Sequence, residues 1–564
     1  MLSNENNTLT FDATTQEGIH VNAILVTSRS SCHVIAVDQL PGATAEDYYL
    51  HVTNAVNDIA DVYSTFTNKM PYQECRKKLI DSIANTMTDR VNTNHASVAL
   101  INEYWGKSLN ELNCHLHPLD SMSTYCRSAM KKEEGNEKWA LFGNDCVAGN
   151  LVLQFNKMRY KDGKGDPGGF IVFLDEKKLP RGILPRYRGN RLHILFHICG
   201  ILIQNYAAFM EFLSSGAACG GLRKSILQDF QHPLAMVEMR VLGLIGKLLT
   251  GPWMKKFYVS ADDQTINYVE GVKVVKEVVK RINSQAEEPS SFVKRGTDFF
   301  GDNIDENDEV LKKLREGEAN NDEFCRMSMA CLKSIVELLS RQYRKYYDAD
   351  IPDQLEQESK SARLHNMDTE EIMGMFSAAQ QRAPNSTMSY LSARLRATKN
   401  KTVDFLDKLE EAERESYVSR AINVARKARI KHRTKQKESM EEMARRQIEK
   451  KEKKAMQERR KVERKIRNSS VTELKDEFGL SVALVSDLQM ILDGGAAGRD
   501  VLHVWTETHE QTRYHGRIEK LKKSKTVYVV GYWGAGETYD DAIDYDISMY
   551  ELAADLVCDD LTIF

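Results

Sequence analysis

Closely spaced cysteine pairs are missing from this sequence. Its ten cysteines are scattered along 564 residues, whereas small secreted domains rely on dense disulfide frameworks. This distribution favours a reducing, intracellular compartment. The N-terminus is polar, so the sequence predicts no signal peptide.

Long uninterrupted apolar runs are also missing. The longest candidate, residues 192–213, is broken by polar side chains, namely His193, His197, Gln204, Asn205 and Glu211. A membrane span would rarely carry so many polar groups, so we interpret the run as a buried core helix and expect no membrane as partner. A glycine-rich segment, residues 161–169, lacks the Gly-Lys-Ser/Thr sequence of a phosphate-binding loop. We therefore expect a solvated loop there.

The small net charge of −3 hides a strong separation of charge along the chain. Residues 426–467 carry 19 Lys or Arg against 7 Asp or Glu, with few large apolar side chains between them. Such a segment cannot bury itself and predicts a long exposed helix or a weak coiled coil. Its positive charge makes nucleic-acid phosphate a natural partner and suits nuclear import. A solvated helix that acts only as a spacer is the alternative.

Three short apolar segments near the N-terminus predict a system of β-hairpins. They cover residues 9–15, 19–28 and 31–37, with turns at Gly18 and at Arg29-Ser30. Asp12 lies in the middle of the first segment. Burying a carboxylate in a strand is costly unless the group is paired or holds a metal ion. Asp12 is therefore predicted to have partners.

Two other acidic positions are candidate partners of Asp12. Asp89 ends a weak strand, residues 82–89, that leads into a helical pattern. Glu370 lies in an acidic helix start, residues 366–371, which is followed by apolar residues at helical spacing. Acids on the first and fourth strands of a mixed sheet, with a third acid on a helix packed against it, suit two-metal phosphoryl transfer.

This order of elements resembles a known family of enzymes. A strand with Asp12, a hairpin, a helix, a strand with Asp89, a helix and then the Cys-x-x-His of Cys114 and His117 resemble the DDE transposases of the ribonuclease-H-like fold. Cut-and-paste elements of the hAT-like group and transposon-derived proteins of animal genomes are the most similar. The resemblance covers residues 8 to about 132, with a helical insertion before the third acid.

The resemblance implies a DDE-type transposase or transposon-derived nuclease that cleaves DNA strands and transfers them. Asp12 would bridge two metal ions, Asp89 would hold one and Glu370 the other, with Mg²⁺ as cofactor and Mn²⁺ as its substitute. The implied partners are transposon-end and target DNA, with a homodimer or larger assembly and a nuclear location. Transposases usually carry a DNA-binding domain ahead of the first Asp, and we expect that domain to be lost or encoded elsewhere.

Other residues enter the site through the same resemblance. Those expected beside the three acids are Cys114, His117, Asn366, Arg188 and Arg191. Glu371 is the alternative third acid, and Glu238 is a more distant one. Taken alone, Asp89 could be a helix N-cap. The spacing of Cys114 and His117 could also indicate structural zinc, with His115 or Cys126 as further ligands.

The C-terminal segment predicts four or five short strands with turns between them. It resembles Tudor-like and chromo-barrel modules, which bind methylated lysine or arginine in an aromatic cage through cation–π attraction. The cage candidates are Trp505, Tyr514, Tyr532, Trp533 and Tyr545. Methylated histone tails are the implied ligand, although these rings could instead form the barrel's own core. A catalytically inactive, domesticated chromatin- or DNA-binding protein is thus the alternative to an enzyme.

Together these features predict an α+β multidomain protein. Residues 1–135 and 362–403 would form a ribonuclease-H-like mixed α/β core, interrupted by an all-helical insertion at 136–361. A long basic helix at 404–468 and a short helical linker at 469–498 would follow. Residues 499–564 would form a small SH3/Tudor-like β-barrel.

Overall fold

The structure is a computed structural model that describes most of the chain. The described residues are 6–67, 70–162, 164–187, 191–215, 221–260, 263–317, 321–348, 350–507, 510–534 and 538–564. The chain divides into two compact units, residues 1–436 and residues 437–564. The predicted combination of helices and sheets in an α+β multidomain protein is confirmed.

The first unit begins with a five-stranded mixed sheet. Its strands are β1 (Asn7–Gln16), β2 (Ile19–Thr27), β3 (Cys32–Leu40), β4 (Ile83–Met87) and β5 (Asn110–Leu112). Their order is β3-β2-β1-β4-β5, with β1, β2 and β3 antiparallel and with β4 and β5 parallel to β1. The predicted turns at Gly18 and at Arg29-Ser30 connect the first three strands. The Gly18 turn has a positive φ of 79°, which glycine adopts without steric cost.

Four helices accompany the sheet in the first part of the chain. They are α1 (Ala45–Thr67), α2 (Tyr72–Asp81), α3 (Asn92–Trp105) and α4 (His117–Glu133). Thr44 caps α1 as predicted, because its hydroxyl accepts a hydrogen bond from the Asp47 N–H and donates one to the Asp47 carboxylate. Helix α2 was not predicted. It buries Cys75, Leu79 and Ile80 against α1.

A helical region follows the fourth helix. It contains α5 (Val147–Lys157), α6 (Pro167–Glu176), α7 (Ile194–Gln204), α8 (Tyr206–Ser214), α9 (Gly221–Phe230), α10 (Pro233–Ile245), α11 (Gly251–Phe257), α12 (Tyr268–Glu287), α13 (Glu309–Arg315), α14 (Asp322–Tyr347) and α15 (Asp353–Glu358). Their apolar faces form the largest buried cluster among the described residues. The glycine-rich segment at 161–169 runs into α6, whose N-cap is Asp166.

The apolar run at 192–213 was predicted as one helix, and this prediction is wrong. It forms two helices, α7 and α8, that meet at Asn205 with a bend of 79°. The Asn205 side chain donates a hydrogen bond to the Ile201 carbonyl, which competes with continuation of the helix. Within the described ranges no single helix is long and apolar enough to cross a membrane, whereas this bent pair meets the length and composition requirement. Side chains of both helices, including Phe196 and Phe209, are buried in the helical cluster.

The chain then returns to the mixed sheet. Helices α16 (Met367–Arg382) and α17 (Met388–Lys399) pack on its β1–β3 side, where Ile372 and Phe376 contact the apolar face of the hairpins. A short helix, α18 (Thr402–Asp407), precedes α19 (Glu411–Asn468), which is 58 residues long. The predicted basic helix is therefore present but starts at Glu411 rather than at residue 404.

The second unit contains a five-stranded antiparallel sheet. Helices α20 (Val471–Phe478) and α21 (Val482–Leu492) precede strands β6 (Asp500–Glu507), β7 (Glu510–Leu521), β8 (Val527–Trp533) and β9 (Ile543–Ser548), which are followed by α22 (Met549–Val557) and β10 (Leu561–Ile563). The strand order is β10-β6-β7-β8-β9. No pairing joins the edge strands β9 and β10 within the described part of the sheet. The predicted strand at 543–550 ends at Ser548, because the Ser548 side chain caps α22.

Candidate functional site

Asp12 lies at the centre of β1, opposite Ala23 of the neighbouring strand. Its carboxylate accepts a hydrogen bond of 2.8 Å from the Ala13 N–H. Burial, followed by the negative charge of Asp89, raises the pKa of Asp12 to about 7, and Glu370 adds to this effect. The first predicted acid therefore lies within electrostatic reach of both other acids.

His117 joins the other two acids. It is the first residue of α4, and its Nε2 lies 3.0 Å from Asp89 Oδ1 and 3.2 Å from Glu370 Oε1. Asp89 comes two residues after β4 ends at Met87. The N-cap of α3 is Val91, so the alternative role of Asp89 as N-cap is wrong. Sheet and helix packing thus bring together residues that are hundreds of positions apart.

The charges at this junction shift one another's pKa values. Burial alone would lower the pKa of His117, but Cys114, Glu370 and Asp89 raise it well above its ordinary value. The hydrogen bond from His117 lowers the pKa of Glu370, although burial opposes this effect. An imidazolium between two carboxylates is the expected state.

The two alternative third acids lie elsewhere. Glu371, the next residue on α16, pairs with Lys399 at the end of α17. Glu238 is fully buried in the helical region, where it adjoins Glu134. Of the three candidates, Glu370 is the acid that shares His117 with Asp89.

Three of the residues predicted beside the acids, Cys114, Asn366 and Arg191, can be located in the structure. Cys114 is buried and hydrogen-bonds to His117, and the backbone N–H of Asn366 donates to the Cys114 sulfur. The Asn366 side chain is buried, and neither of its polar atoms has a hydrogen-bond partner among the described residues. Arg191 is exposed and its charge acts on Glu370. Arg188 lies outside the described residues.

One acid of the site was not predicted. Asp120 lies three residues after His117, which places both on the same face of α4. The Asp120 carboxylate accepts a hydrogen bond from the Leu192 N–H, and it interacts electrostatically with His117 and Arg191. The signal in the sequence was this i, i+3 spacing, which links the Cys-x-x-His motif to the start of the helical region.

An aromatic platform holds the loop that carries Cys114 and His117. The His115 ring stacks against Phe257, Tyr268 and Tyr343, with ring centroids 4.9, 4.9 and 5.8 Å away. His115 Nδ1 hydrogen-bonds to the Tyr343 hydroxyl at 2.7 Å, and Trp253 Nε1–H donates to the His115 carbonyl at 2.6 Å. Burial lowers the pKa of His115 to about 3. The aromatic side chains of the helical region therefore hold the loop that carries Cys114 and His117 in place.

The packing around His115 argues against a structural zinc site built on Cys114 and His117. Gly271 leaves no room for a further ligand at the His115 ring, because a Cβ there would lie 2.9 Å from His115 Nε2. Cys126 instead lies next to Cys331, whose thiol donates to the Cys126 carbonyl. A structural zinc site needs four ligands around one ion. His115 and Cys126 have other neighbours and do not complete such a set with Cys114 and His117.

The donor chemistry of the three acids fits a hard divalent cation. Carboxylate oxygens are the ligands that Mg²⁺ and Mn²⁺ prefer. The raised pKa of Asp12 reflects its burial first and the negative charge of Asp89 second, and a bound cation would offset that charge. Within the described residues no three His, Cys, Asp or Glu side chains already converge on a single ion position. The fit of the three acids to a divalent cation therefore rests on their oxygen ligands and on their negative charge.

The second unit gathers four of the five aromatic cage candidates. Trp505 contacts Tyr514, Tyr532 and Tyr545, with ring centroids 5.2, 5.1 and 5.1 Å away. Trp533 lies apart and contacts His515 and Tyr539 instead. Beneath the cluster, His503 hydrogen-bonds to the Tyr532 hydroxyl at 2.6 Å and pairs with the buried Asp555 at 3.1 Å.

Comparison with known proteins adds no assignment to this geometry. No model of a known protein family matches the chain, and no curated protein matches it. The function has to follow from the positions and chemistry of the residues themselves.

Proposed function

We propose that this protein is a DDE-type transposase or transposon-derived nuclease that cleaves and joins DNA strands with bound Mg²⁺. One observation carries the proposal. Asp89 and Glu370, which belong to different segments of the chain, share His117, and Asp12 lies within electrostatic reach of both. Acids grouped in this way suit metal-dependent phosphoryl transfer.

The arrangement of strands supports a ribonuclease-H-like core. Three antiparallel strands carry the first acid at the centre of the sheet, and a parallel strand beside it leads to the second acid. The third acid comes from a helix that packs on the same sheet after a long helical region. This is the order expected from the resemblance to DDE transposases.

Asp12, Asp89 and Glu370 would hold the metal ions. Two such ions activate the attacking oxygen and stabilise the leaving oxygen of a phosphodiester. His117 orients the Asp89 and Glu370 carboxylates through its hydrogen bonds. Arg191 places a positive charge near Glu370, where it can attract a substrate phosphate.

Other parts of the chain fit a nuclear DNA-processing protein. Residues 426–467, now part of α19, have an excess of 12 positive charges and offer a surface for DNA phosphates through counterion release. A homodimer or larger assembly and a nuclear location belong to the same proposal.

A methylated-peptide reader is a second candidate function, with or without catalysis. It is favoured by the grouping of Trp505, Tyr514, Tyr532 and Tyr545 at one place on the antiparallel sheet. Tyr545 is 41% exposed, so a ligand cation can approach the rim of the cluster. The proposed cage therefore keeps Trp505, Tyr514, Tyr532 and Tyr545 and excludes Trp533, in a module proposed to be Tudor-like.

Metal-dependent nicking tests the enzymatic proposal. The full chain is incubated with supercoiled plasmid in Mg²⁺, in Mn²⁺ and in excess chelator, and nicked circles are quantified. We expect nicking with either metal and none with the chelator, because the carboxylates alone cannot stabilise the leaving oxygen. A preparation that nicks equally well in chelator, or nicks under none of these conditions, would contradict the proposal.

A further inference from the structure

A polar groove of about 500 Å³ lies on the first unit, outside the cluster of three acids. Four parts of the chain form its walls: the β2–β3 turn with the start of β3, the residues Val259, Ser260 and Gln264 that follow α11, the residues around the start of α16, and the end of α17 with the two residues after it. The lining side chains include Arg29, His33, Arg363, His365, Lys399 and Lys401. The groove is therefore built where the hairpin sheet and the helical region meet.

The described lining residues are strongly biased toward positive charge. They include four Lys or Arg against one acid, Asp368. Burial lowers the pKa of the two lining histidines, His33 and His365, and so favours their neutral forms. Asp368 is engaged by Arg363 through two hydrogen bonds of 2.7 Å, and Lys399 pairs with Glu371. Arg29 and Lys401 are both exposed, and neither has an ion-pair partner within the described part of the chain. Arg29 donates one hydrogen bond to the Gln264 carbonyl, and its charge and remaining N–H groups, like the Lys401 ammonium, are available to a ligand.

The walls of the groove are held in place by internal hydrogen bonds. Arg29 donates to the Gln264 carbonyl, which ties the hairpin turn to the helical region. Arg363 donates to the Ser28 carbonyl at 3.1 Å, and Asn400 hydrogen-bonds to both backbone groups of Val34. A groove of fixed shape loses little conformational freedom when a ligand binds.

The groove adjoins the candidate active site through one helix start. Asp368 lies in the groove wall and Glu370 in the cluster of acids, two residues apart on α16. His365 also lines the groove and lies within electrostatic reach of Glu370. The start of α16 therefore separates the groove from the cluster of acids by a single turn of helix.

We propose that this groove binds the phosphate backbone of one DNA strand beside the active site, with Arg29 and Lys401 as the main phosphate contacts. The inference rests on the proposed function, because it takes the same substrate. No base edge needs to be read in such a groove, so binding there is independent of sequence.

The salt dependence of DNA binding tests this inference. Arg29→Gln with Lys401→Asn removes both charges, and asparagine tolerates the left-handed backbone of Lys401 (φ 51°). Affinity of the full chain for a fluorescein-labelled duplex is measured by anisotropy over a range of salt, with chelator present. We expect about tenfold weaker binding and a slope of log K against log salt that is smaller by roughly two. Arg394→Gln with Lys408→Asn removes two charges outside the groove and should leave the slope unchanged.

The outcomes separate the groove from the catalytic proposal. Binding is read without metal, so a wild-type protein that fails to nick DNA still reports on the groove. Equal slopes in both double variants would overturn the inference while leaving the acids untouched. Displacement of the duplex by millimolar inorganic phosphate at constant ionic strength would also overturn it, because it would identify a small-phosphate site rather than a strand path.

Discussion

Replacement of Glu370 by glutamine is expected to reduce metal-dependent DNA nicking by about 1,000-fold. Glutamine keeps the size of the side chain but removes the negative charge that would hold a metal ion. A loss of about 4 kcal/mol of transition-state stabilisation corresponds to this factor. The contact to His117 can persist through the amide oxygen, so the fold should be preserved.

The adjacent residue supplies a matched control. Glu371→Gln makes the same chemical change one position further along α16, where the carboxylate pairs with Lys399 and not with His117. This variant should nick plasmid at close to the wild-type rate. Rates are compared at equal protein concentration after circular dichroism has confirmed equal helix content. Loss of activity in Glu371→Gln, with activity retained in Glu370→Gln, would show that Glu371 and not Glu370 is the third acid.

Replacement of Glu238 by glutamine is expected to make the protein more stable than wild type at alkaline pH. Glu238 lies buried against Glu134, and each carboxylate caps the start of α5: Glu134 accepts from the Val147 N–H at 2.6 Å, Glu238 from the Ala148 N–H at 3.0 Å. The other oxygen of Glu238 has no donor within the described residues. A proton on that oxygen, donated to Glu134, satisfies both groups.

The direction of the pH effect follows from this shared proton. Burial, and then the charge of Glu134, raise the pKa of Glu238 well above its ordinary value. The folded protein thus holds the proton more tightly than the unfolded chain, whose glutamates titrate near pH 4.3. This contribution to stability is fully present below about pH 4.3 and is lost as the pH rises through the folded pKa, by about 1.4 kcal/mol per pH unit.

Thermal unfolding of the full chain between pH 5 and pH 8.5 measures this effect. Glutamine at 238 imitates the protonated acid and does not titrate, so the difference in Tm between the variant and wild type should grow as the pH rises. Glu137→Gln, at an exposed position of the same region, should follow the wild-type curve. Parallel curves for Glu238→Gln and wild type would show that Glu238 is ionised in the folded protein.

Local patterns in the sequence were sufficient to predict the three hairpin strands around Asp12 and the turns between them. The alternation of apolar residues fixed the hairpin strands, and the turns at Gly18 and Arg29-Ser30 needed only local chemistry. The costly acid in β1 pointed to partners, and the start of α16 supplied Glu370. These features are encoded within short segments of chain, so a single sequence reveals them.

Features that depend on distant contacts were missed. The platform around His115 is built from α11, α12 and α14, and no local pattern announces that these rings meet. Helix α7 ends at Asn205 because a side chain competes for a backbone carbonyl, which apolar periodicity does not register. Trp533 was grouped with the other aromatics by proximity in sequence, whereas the strand pairing places it beside His515.

The position of a bound metal ion decides whether Asp12, Asp89 and Glu370 form a metal site. Crystals of the full chain soaked in Mn²⁺ would give an anomalous difference map that locates each ion. We expect density in contact with the carboxylates of Asp12, Asp89 and Glu370, and we expect this density to disappear in crystals of the Asp12→Asn variant. Mn²⁺ bound only elsewhere on the protein, with these three carboxylates free of metal at saturating concentration, would contradict this expectation.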